Sequence, residues 1–364
     1  MIYFDNFNAE NREFLEEIIR NLAHAAKLRS EGDYRKYIEN TEEEFARFNG
    51  SRFAIGVNSG TTALELALLS CGISPDDEVI IPSYTYIATG LAVSDLGAKP
   101  VFADIQEDTL NISPRSILKN ITKKTKAIIA VHIHGNPCEI DEIIRIAKAH
   151  RIFLIEDSSH AHGAEYKGKK VGNFGIGCYS NHSSKVLAGI GNSGFITTND
   201  AAIHEKIQDL INVTNDPLKN ISRRTPCRMD VLQAAVLKAK IKAIDCLIAR
   251  RRKIASIYQN RLKGLAQLQK EQENAKHVYR DFVVMVKKRE AAKKFLEKQH
   301  VETKIRYLKP LHATRYYSAS RKIQLPITEA VADRLLWLPI SPCLKENEAQ
   351  TVIEGLVSFI GKNG

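Results

Sequence analysis

Two residues about thirty positions apart carry the chemistry this sequence offers first: Asp157, which closes the apolar run "RIFLIED", and Lys185, which closes the turn "CYSNHSSK". A carboxylate at the end of a buried strand needs a partner. A protonated ring nitrogen is one: the ion pair keeps that nitrogen positive and makes the ring an electron sink. An acid that caps the following turn accounts for Asp157 equally well. Strand side chains alternate between faces, so Ser159 shares the face of Asp157 if the extended backbone runs on. Both could then touch one ring, Asp157 at its nitrogen and Ser159 beneath its plane. Lys185 precedes the glycine-containing stretch "VLAGIGNSG". An amine desolvated in such a tight turn can form a Schiff base with an aldehyde; a lysine taken alone is more often plainly exposed.

Two further stretches belong with this pair. In "NSGTTALELAL" a strand ends and a turn opens a helix at Thr61. Helix amino termini present unpaired N–H groups and a partial positive charge, which suits a phosphate. Gly60 would let the backbone approach closely, and Thr61 would add a hydroxyl. Ser and Thr at a helix start also serve as simple caps. In "PSYTYIAT", residues 82–89, Tyr86 sits at the carboxyl end of a strand, where open α/β sheets place their ligands. It either stacks on an aromatic ring or packs in the core. A phosphate turn, a stacking aromatic, a ring-nitrogen acid and a lysine, in that order, describe a pocket for pyridoxal 5′-phosphate.

The elements that must position these residues read as an α/β fold with a mostly parallel sheet covered by helices. Strands are expected at 53–57, 78–83, 99–104, 126–133, 151–157, 178–183 and 194–199. Helices are expected at 61–71 and 139–150, from apolar residues at helical spacing. From Met229 to Leu265 the pattern is one long helix without internal Gly or Pro, of the kind that joins domains. Beyond it lie a strand at 280–287, a charged helix from Arg289, a strand at 302–307 and a last helix from about Lys345. The expected division is a large cofactor-binding domain, 1–245, and a smaller carboxyl-terminal α+β domain, 246–364.

Composition bounds the rest. A chain of 364 residues, 44% of them hydrophobic, can bury a large core and a smaller one. No apolar run approaches the roughly 20 residues of a membrane helix, and "MIYFDNFNAENREF" does not read as a signal peptide. The six cysteines lack CxxC spacing, which argues against a zinc site or a disulfide framework and for a reducing compartment. The expected location is the cytoplasm, with no membrane partner. The net charge of +11 is dispersed. Its densest run, "ARRRK" at 249–253, reads as a solvated helix face rather than a nucleic-acid site, and the excess would suit a phosphorylated small molecule.

Several blocks, in order and strung along nearly the whole chain, resemble the DegT/StrS sugar aminotransferases, pyridoxal-phosphate enzymes of fold type I. They include "NSGTTALELALLSCGISPDDEVIIPSYTYIATG", "VHIHGNPCEIDEI", "IEDSSHAHGAEYKGKKVG", "YSNHSSK", "GFITTND", "RMDVLQAAVL" and "LHATRYY". The resemblance implies that Lys185 bonds the cofactor's aldehyde, that Asp157 pairs with the pyridine nitrogen and that Tyr86 stacks on the ring. Gly60, Thr61 and Ser180 fall on phosphate contacts. His160 stands where the family has a glutamine bonded to the ring hydroxyl, and Ser159 replaces a small apolar alanine under the ring. Pro226 stands where the family's asparagine reaches a neighbouring subunit's phosphate, and "GNSG" at 191–194 replaces Gly-Glu-Gly-Gly. A family glycine loop near the amino terminus is replaced by "EGDYRKYIENTEEEF". The activity implied is transfer of an amine from an amino acid, glutamate, to a nucleotide-linked keto sugar by a homodimer. The rival readings are a keto-cyclitol acceptor, a sugar dehydratase and a non-catalytic regulatory relative. Dehydratases of this kind carry histidine in place of the lysine.

Overall fold

The computed structural model describes residues 1–212, 227–318 and 323–363. Its centre is a sheet built from β1 (Phe53–Val57), β2 (Glu78–Pro82), β3 (Lys99–Ala103), β4 (Thr125–Val131) and β5 (Phe153–Asp157). After a small hairpin of β6 (Glu165–Tyr166) and β7 (Lys169–Lys170), β8 (Ile176–Ser180) and β9 (Gly194–Thr198) complete it. The strand order is β1-β9-β8-β5-β4-β2-β3, and β9 alone runs antiparallel to its neighbours. Val79, Ile80 and Ile81 on β2, and Ile128, Ile129 and Ala130 on β4, are all fully buried. Helices cover both faces, so these strands appear in sequence as unbroken apolar runs rather than alternating ones.

The parallel strands deliver their carboxyl ends to one edge. Val131 pairs with Asp157 in register, placing the ends of β4 and β5 side by side. The helices Gly60–Ser70 and Ile87–Ser94 start at that same edge, after β1 and β2.

A second core lies toward the carboxyl terminus. Three short strands, β10 (Gln267–Leu268), β12 (Phe282–Met285) and β13 (Leu335–Leu338), form its sheet in the order β10-β12-β13. A further strand, β11 (Ala275–Lys276), joins the β6–β7 hairpin instead. The helices Arg289–Glu297 and Glu346–Asn363 pack on this second core through Leu296, Val352 and Leu356.

Two expectations need correction. The single helix expected over 229–265 is two, Val231–Ile241 and Ile244–Leu262, capped at the start by the Asp230 side chain. The break falls at Lys242–Ala243, where Ala243 has φ −100° and ψ −1°, at the rim of the helical region. The turn lets Leu237 and Ile241 pack in the large core, while the second helix carries Ile248 there and Tyr258 and Leu262 into the small one. Residues 302–307 do not form a strand. Lys304 alone bridges Trp337, and the chain then turns at Tyr307, φ +53°. The sheet position goes to β13, whose "LLWL" is a short apolar run without period. The "RRRK" run is the expected solvated face except at one position. Arg251 is buried, and Arg250, Arg252 and Lys253 pair with Glu13 (2.7 Å), Glu271 (2.8 Å) and Glu346 (2.5 Å). Finally, "EGDYRKYIENTEEEF" lies in a helix, Glu31–Asn49, capped by Ser30 and stopped by Gly50 at φ +74°.

Candidate active site

At the carboxyl edge of the sheet the chain encloses a cavity of about 380 Å³, lined by all eight residues singled out in the sequence: Gly60, Thr61, Tyr86, Asp157, Ser159, His160, Ser180 and Lys185. They come from five separate stretches of chain that only the parallel topology brings together.

At one end is the start of the helix Gly60–Ser70. Its cap is Ser59, whose Oγ accepts the Thr62 N–H at 3.1 Å. Thr61 is therefore not the cap, and the helix begins one residue earlier than its sequence pattern indicates. The first N–H groups of a helix have no carbonyl within it to bond, so those of Gly60 and Thr61 are available to an anion at the cavity wall. Ser180, at the end of β8, faces them closely: a Cβ added at Gly60 would stand 2.6 Å from Ser180 Cβ and 3.3 Å from Ser159 Oγ. The cradle closes to this width only because residue 60 has no side chain.

Asp157 lies in the middle, 7% exposed. Its carboxylate is held from two sides: Oδ2 accepts the Thr89 hydroxyl at 3.0 Å and Oδ1 accepts the Ser159 N–H at 3.2 Å. Thr89 stands three residues after Tyr86, in the first turn of the following helix, a spacing that puts both on the cavity side. That spacing was legible in "TYIAT". Tyr86 is 60% exposed and so is not a core tyrosine; its ring borders the cavity and can cover a flat ligand.

Lys185 reaches the same cavity from the turn after β8, where its N–H donates to His182 O at 2.9 Å. Burial, and then the neighbouring Arg280 guanidinium, lower its pKa to about 7; Asp157 and Asp281 oppose them. The amine is thus a competent nucleophile and base near neutrality.

His160 is buried, and its Nδ1 accepts the His134 backbone N–H at 3.3 Å. That fixes the proton on Nε2. Burial, with the charges of Lys185 and Arg280, holds its pKa well below the ordinary histidine value. His160 therefore faces the cavity as a neutral N–H donor, able to do from Nε2 what an amide nitrogen would do.

The second core contributes Arg280, Arg306 and Tyr307 to the far wall. Sequence reading missed them because their neighbours in the chain carry no motif. Asn192 of "GNSG" also lines the wall. Pro226 lies outside the described residues.

These groups fit pyridoxal 5′-phosphate. Gly60, Thr61 and Ser180 can hold its phosphate, Asp157 its ring nitrogen, Tyr86 one ring face, Ser159 the region below and His160 the ring hydroxyl. Lys185 can meet the aldehyde.

Comparison with known proteins agrees. The family model "DegT/DnrJ/EryC1/StrS aminotransferase family" matches residues 9–357. A dTDP-3-amino-3,6-dideoxy-alpha-D-galactopyranose transaminase of Aneurinibacillus thermoaerophilus is 38% identical over 322 residues, 88% of this chain and 89% of that one. A protein of Geobacillus stearothermophilus named a pleiotropic regulatory protein is 34% identical, over 98% of this chain and 96% of that one. The crystal structure of DesV from S. venezuelae superposes with a TM-score of 0.92 at 31% identity, covering 99% of this chain and 98% of that one. The chain belongs to the DegT/DnrJ/EryC1/StrS aminotransferase family, whose members depend on pyridoxal 5′-phosphate.

Proposed function

We propose that this chain moves an amino group from glutamate to the carbonyl of a nucleotide-linked keto sugar, in amino-sugar biosynthesis. One observation carries the reading: a lysine with its pKa lowered to about 7 and a buried, doubly held carboxylate open on the same cavity as a helix amino terminus. Pyridoxal 5′-phosphate, when bound, supplies the electron sink and carries the amine between donor and acceptor.

The residues divide the work. Asp157, aligned by Thr89 and the Ser159 N–H, keeps the ring nitrogen protonated. Lys185 Nζ is the group placed to take a proton from the donor's α-carbon as base and to give it back as acid, and it would serve the acceptor in the same two roles. Gly60, Thr61 and Ser180 would anchor the phosphate, Tyr86 and Ser159 would bound the ring, and His160 Nε2–H would donate to the ring hydroxyl. The nucleotide-linked acceptor is supported by the transaminase named above and by the basic excess of +11.

The working unit in this reading is a homodimer in the cytoplasm. The exposed Tyr86 at the cavity mouth suits cover by a second subunit. Six free cysteines, three of them buried, suit a reducing compartment. The domain division at about residue 245 is supported by the carboxyl-terminal cluster around Tyr258, Leu296, Val352 and Leu356, although Val283, Met285 and Trp337 pack with residues of the large sheet.

The test is to load the protein with pyridoxamine phosphate and offer nucleotide-linked keto sugars and keto-cyclitols, reading products by mass spectrometry. An amino sugar is expected. A deoxy keto sugar would make the chain a dehydratase, an aminated cyclitol would change the acceptor class, and no product from any acceptor would overturn the assignment.

A further inference from the structure

Behind Lys185 stands a pair of charges that the proposed reaction does not use. Arg280 and Asp281 open the strand β12, and their side chains are 2% and 1% exposed. Arg280 Nη1 donates to Asp281 Oδ1, while Arg280 Nε donates to the carbonyl of Ser184 at 3.0 Å. Ser184 is the residue immediately before Lys185. Arg280 Nη2 and Asp281 Oδ2 are buried without a hydrogen-bond partner among the described residues. A buried ion pair left partly unsatisfied adds little to stability, and an apolar pair of similar volume would fill the space at least as well. Its placement calls for another explanation.

We propose that Arg280, aligned by Asp281, is a positioning residue for Lys185: from the second core it grips the loop that carries the lysine and holds a fixed positive charge at the amine's flank. The proposal rests on the reading of Lys185 given above. Arg280 lines the main cavity and also a recess of about 10 Å³ behind it, and Lys185 lines both. Fixing a cation beside an amine favours the neutral amine.

The other charges around Lys185 do not duplicate this effect. Asp157 and Asp281 pull the other way, toward the ammonium. Arg306 is 3.6 Å from Asp5, which offsets it. His160 and His162 both titrate well below neutrality, and the exposed His182 is lowered too, so all three are uncharged there. Glu10 and Arg251, which rim the small recess, face each other at 3.8 Å. Arg280 is thus the cation with the largest influence on the amine.

The experiment uses the cofactor-free full chain, so its outcome does not depend on whether the aminotransferase reading is right. Reductive methylation with formaldehyde and cyanoborohydride is pulsed across a pH series, and the Lys185 peptide is quantified by mass spectrometry. Wild type is expected to label with a midpoint near pH 7. Arg280→Gln raises the midpoint by about one unit. Asp281→Asn lowers it, because an opposing charge is gone. Arg280→Lys keeps the charge and restores the wild-type midpoint to within about half a unit. Either single change leaves a buried charge unpaired and can unfold the chain, so the balanced double variant Arg280→Gln/Asp281→Asn is included, with folding followed by circular dichroism. Its midpoint lies above wild type, because Arg280 outweighs Asp281 at the amine. The upward shift of the double, together with opposite shifts of the single variants where these fold, supports the proposal. Shifts in the same direction, or an unmoved double, overturn it, since a purely structural pair has no reason to give opposite signs.

Discussion

A methyl group added at Gly60 would stand 2.6 Å from Ser180 Cβ, closer than unbonded carbons approach. Gly60→Ala must therefore push β8 away from the helix start and widen the phosphate cradle. The expected result is cofactor affinity at least about tenfold weaker, or about 1.4 kcal/mol, read by titration of the cofactor's absorbance, with about 1–3 kcal/mol of folding stability lost to the overpacking. At His160 the expectation runs the other way. His160→Gln supplies an amide N–H near the place of the imidazole Nε2–H and should keep cofactor binding within about threefold, whereas His160→Leu, which donates nothing, should weaken it. At this scale the sequence was informative where a residue type has few uses. A strand-end aspartate, a glycine before a helix and a lysine in a glycine-flanked turn all lie on the cavity. Thr89 escaped notice because a threonine has many uses, and the sequence left open which hydroxyl, Ser59 or Thr61, caps the helix.

Adjacent strand residues divide the work of β5. Asp157 meets the cavity, while Glu156, one residue earlier, points to the opposite face and is fully buried. Its carboxylate accepts His132 Nε2–H at 3.1 Å and the backbone N–H groups of Gly172 (2.8 Å), Phe174 (2.7 Å) and Gly175 (2.8 Å). Burial by itself would raise its pKa, but His132 and these N–H groups together hold it below the ordinary 4.5. A carboxyl depressed by folding stabilises the fold above its unfolded value, and that contribution drains away as pH falls through the folded value. Glu156→Gln should therefore cost about 3 kcal/mol or more at neutral pH, and the deficit relative to wild type should shrink on acidification, measured by denaturant unfolding. The seven strands of the large sheet were readable as apolar runs because burial on both faces removes polar residues from them. The second sheet was readable only at β12, the strand expected at 280–287. β13 is too short for a period, and the run at 302–307 has strand-like composition but leaves the sheet at Tyr307 after one bridge. The break at Lys242–Ala243 carries no Gly or Pro to announce it, because tertiary packing on two cores decides it.

Taken whole, the molecule packs a carboxyl-terminal part against the large sheet, sharing Val283, Met285 and Trp337 with its core, and the part that sequence reading described well is the part that carries the motifs. Arg280, Arg306 and Tyr307 reach the cavity from the second core, and only the path of the chain in three dimensions reveals it. The assembly makes its own prediction. If a second subunit covers Tyr86, sedimentation should give a dimer, and a charge at that mouth, Tyr86→Asp, should weaken both dimerisation and cofactor retention; a monomer with full cofactor retention would reject the dimeric site. The measurement that bears most directly on the central claim is the location of the covalent attachment. The protein loaded with pyridoxal 5′-phosphate is treated with borohydride, digested, and searched for the peptide that gains the cofactor's mass. Attachment at Lys185 Nζ, lost in Lys185→Ala, is the predicted result; attachment at another lysine, or at none, would contradict the account.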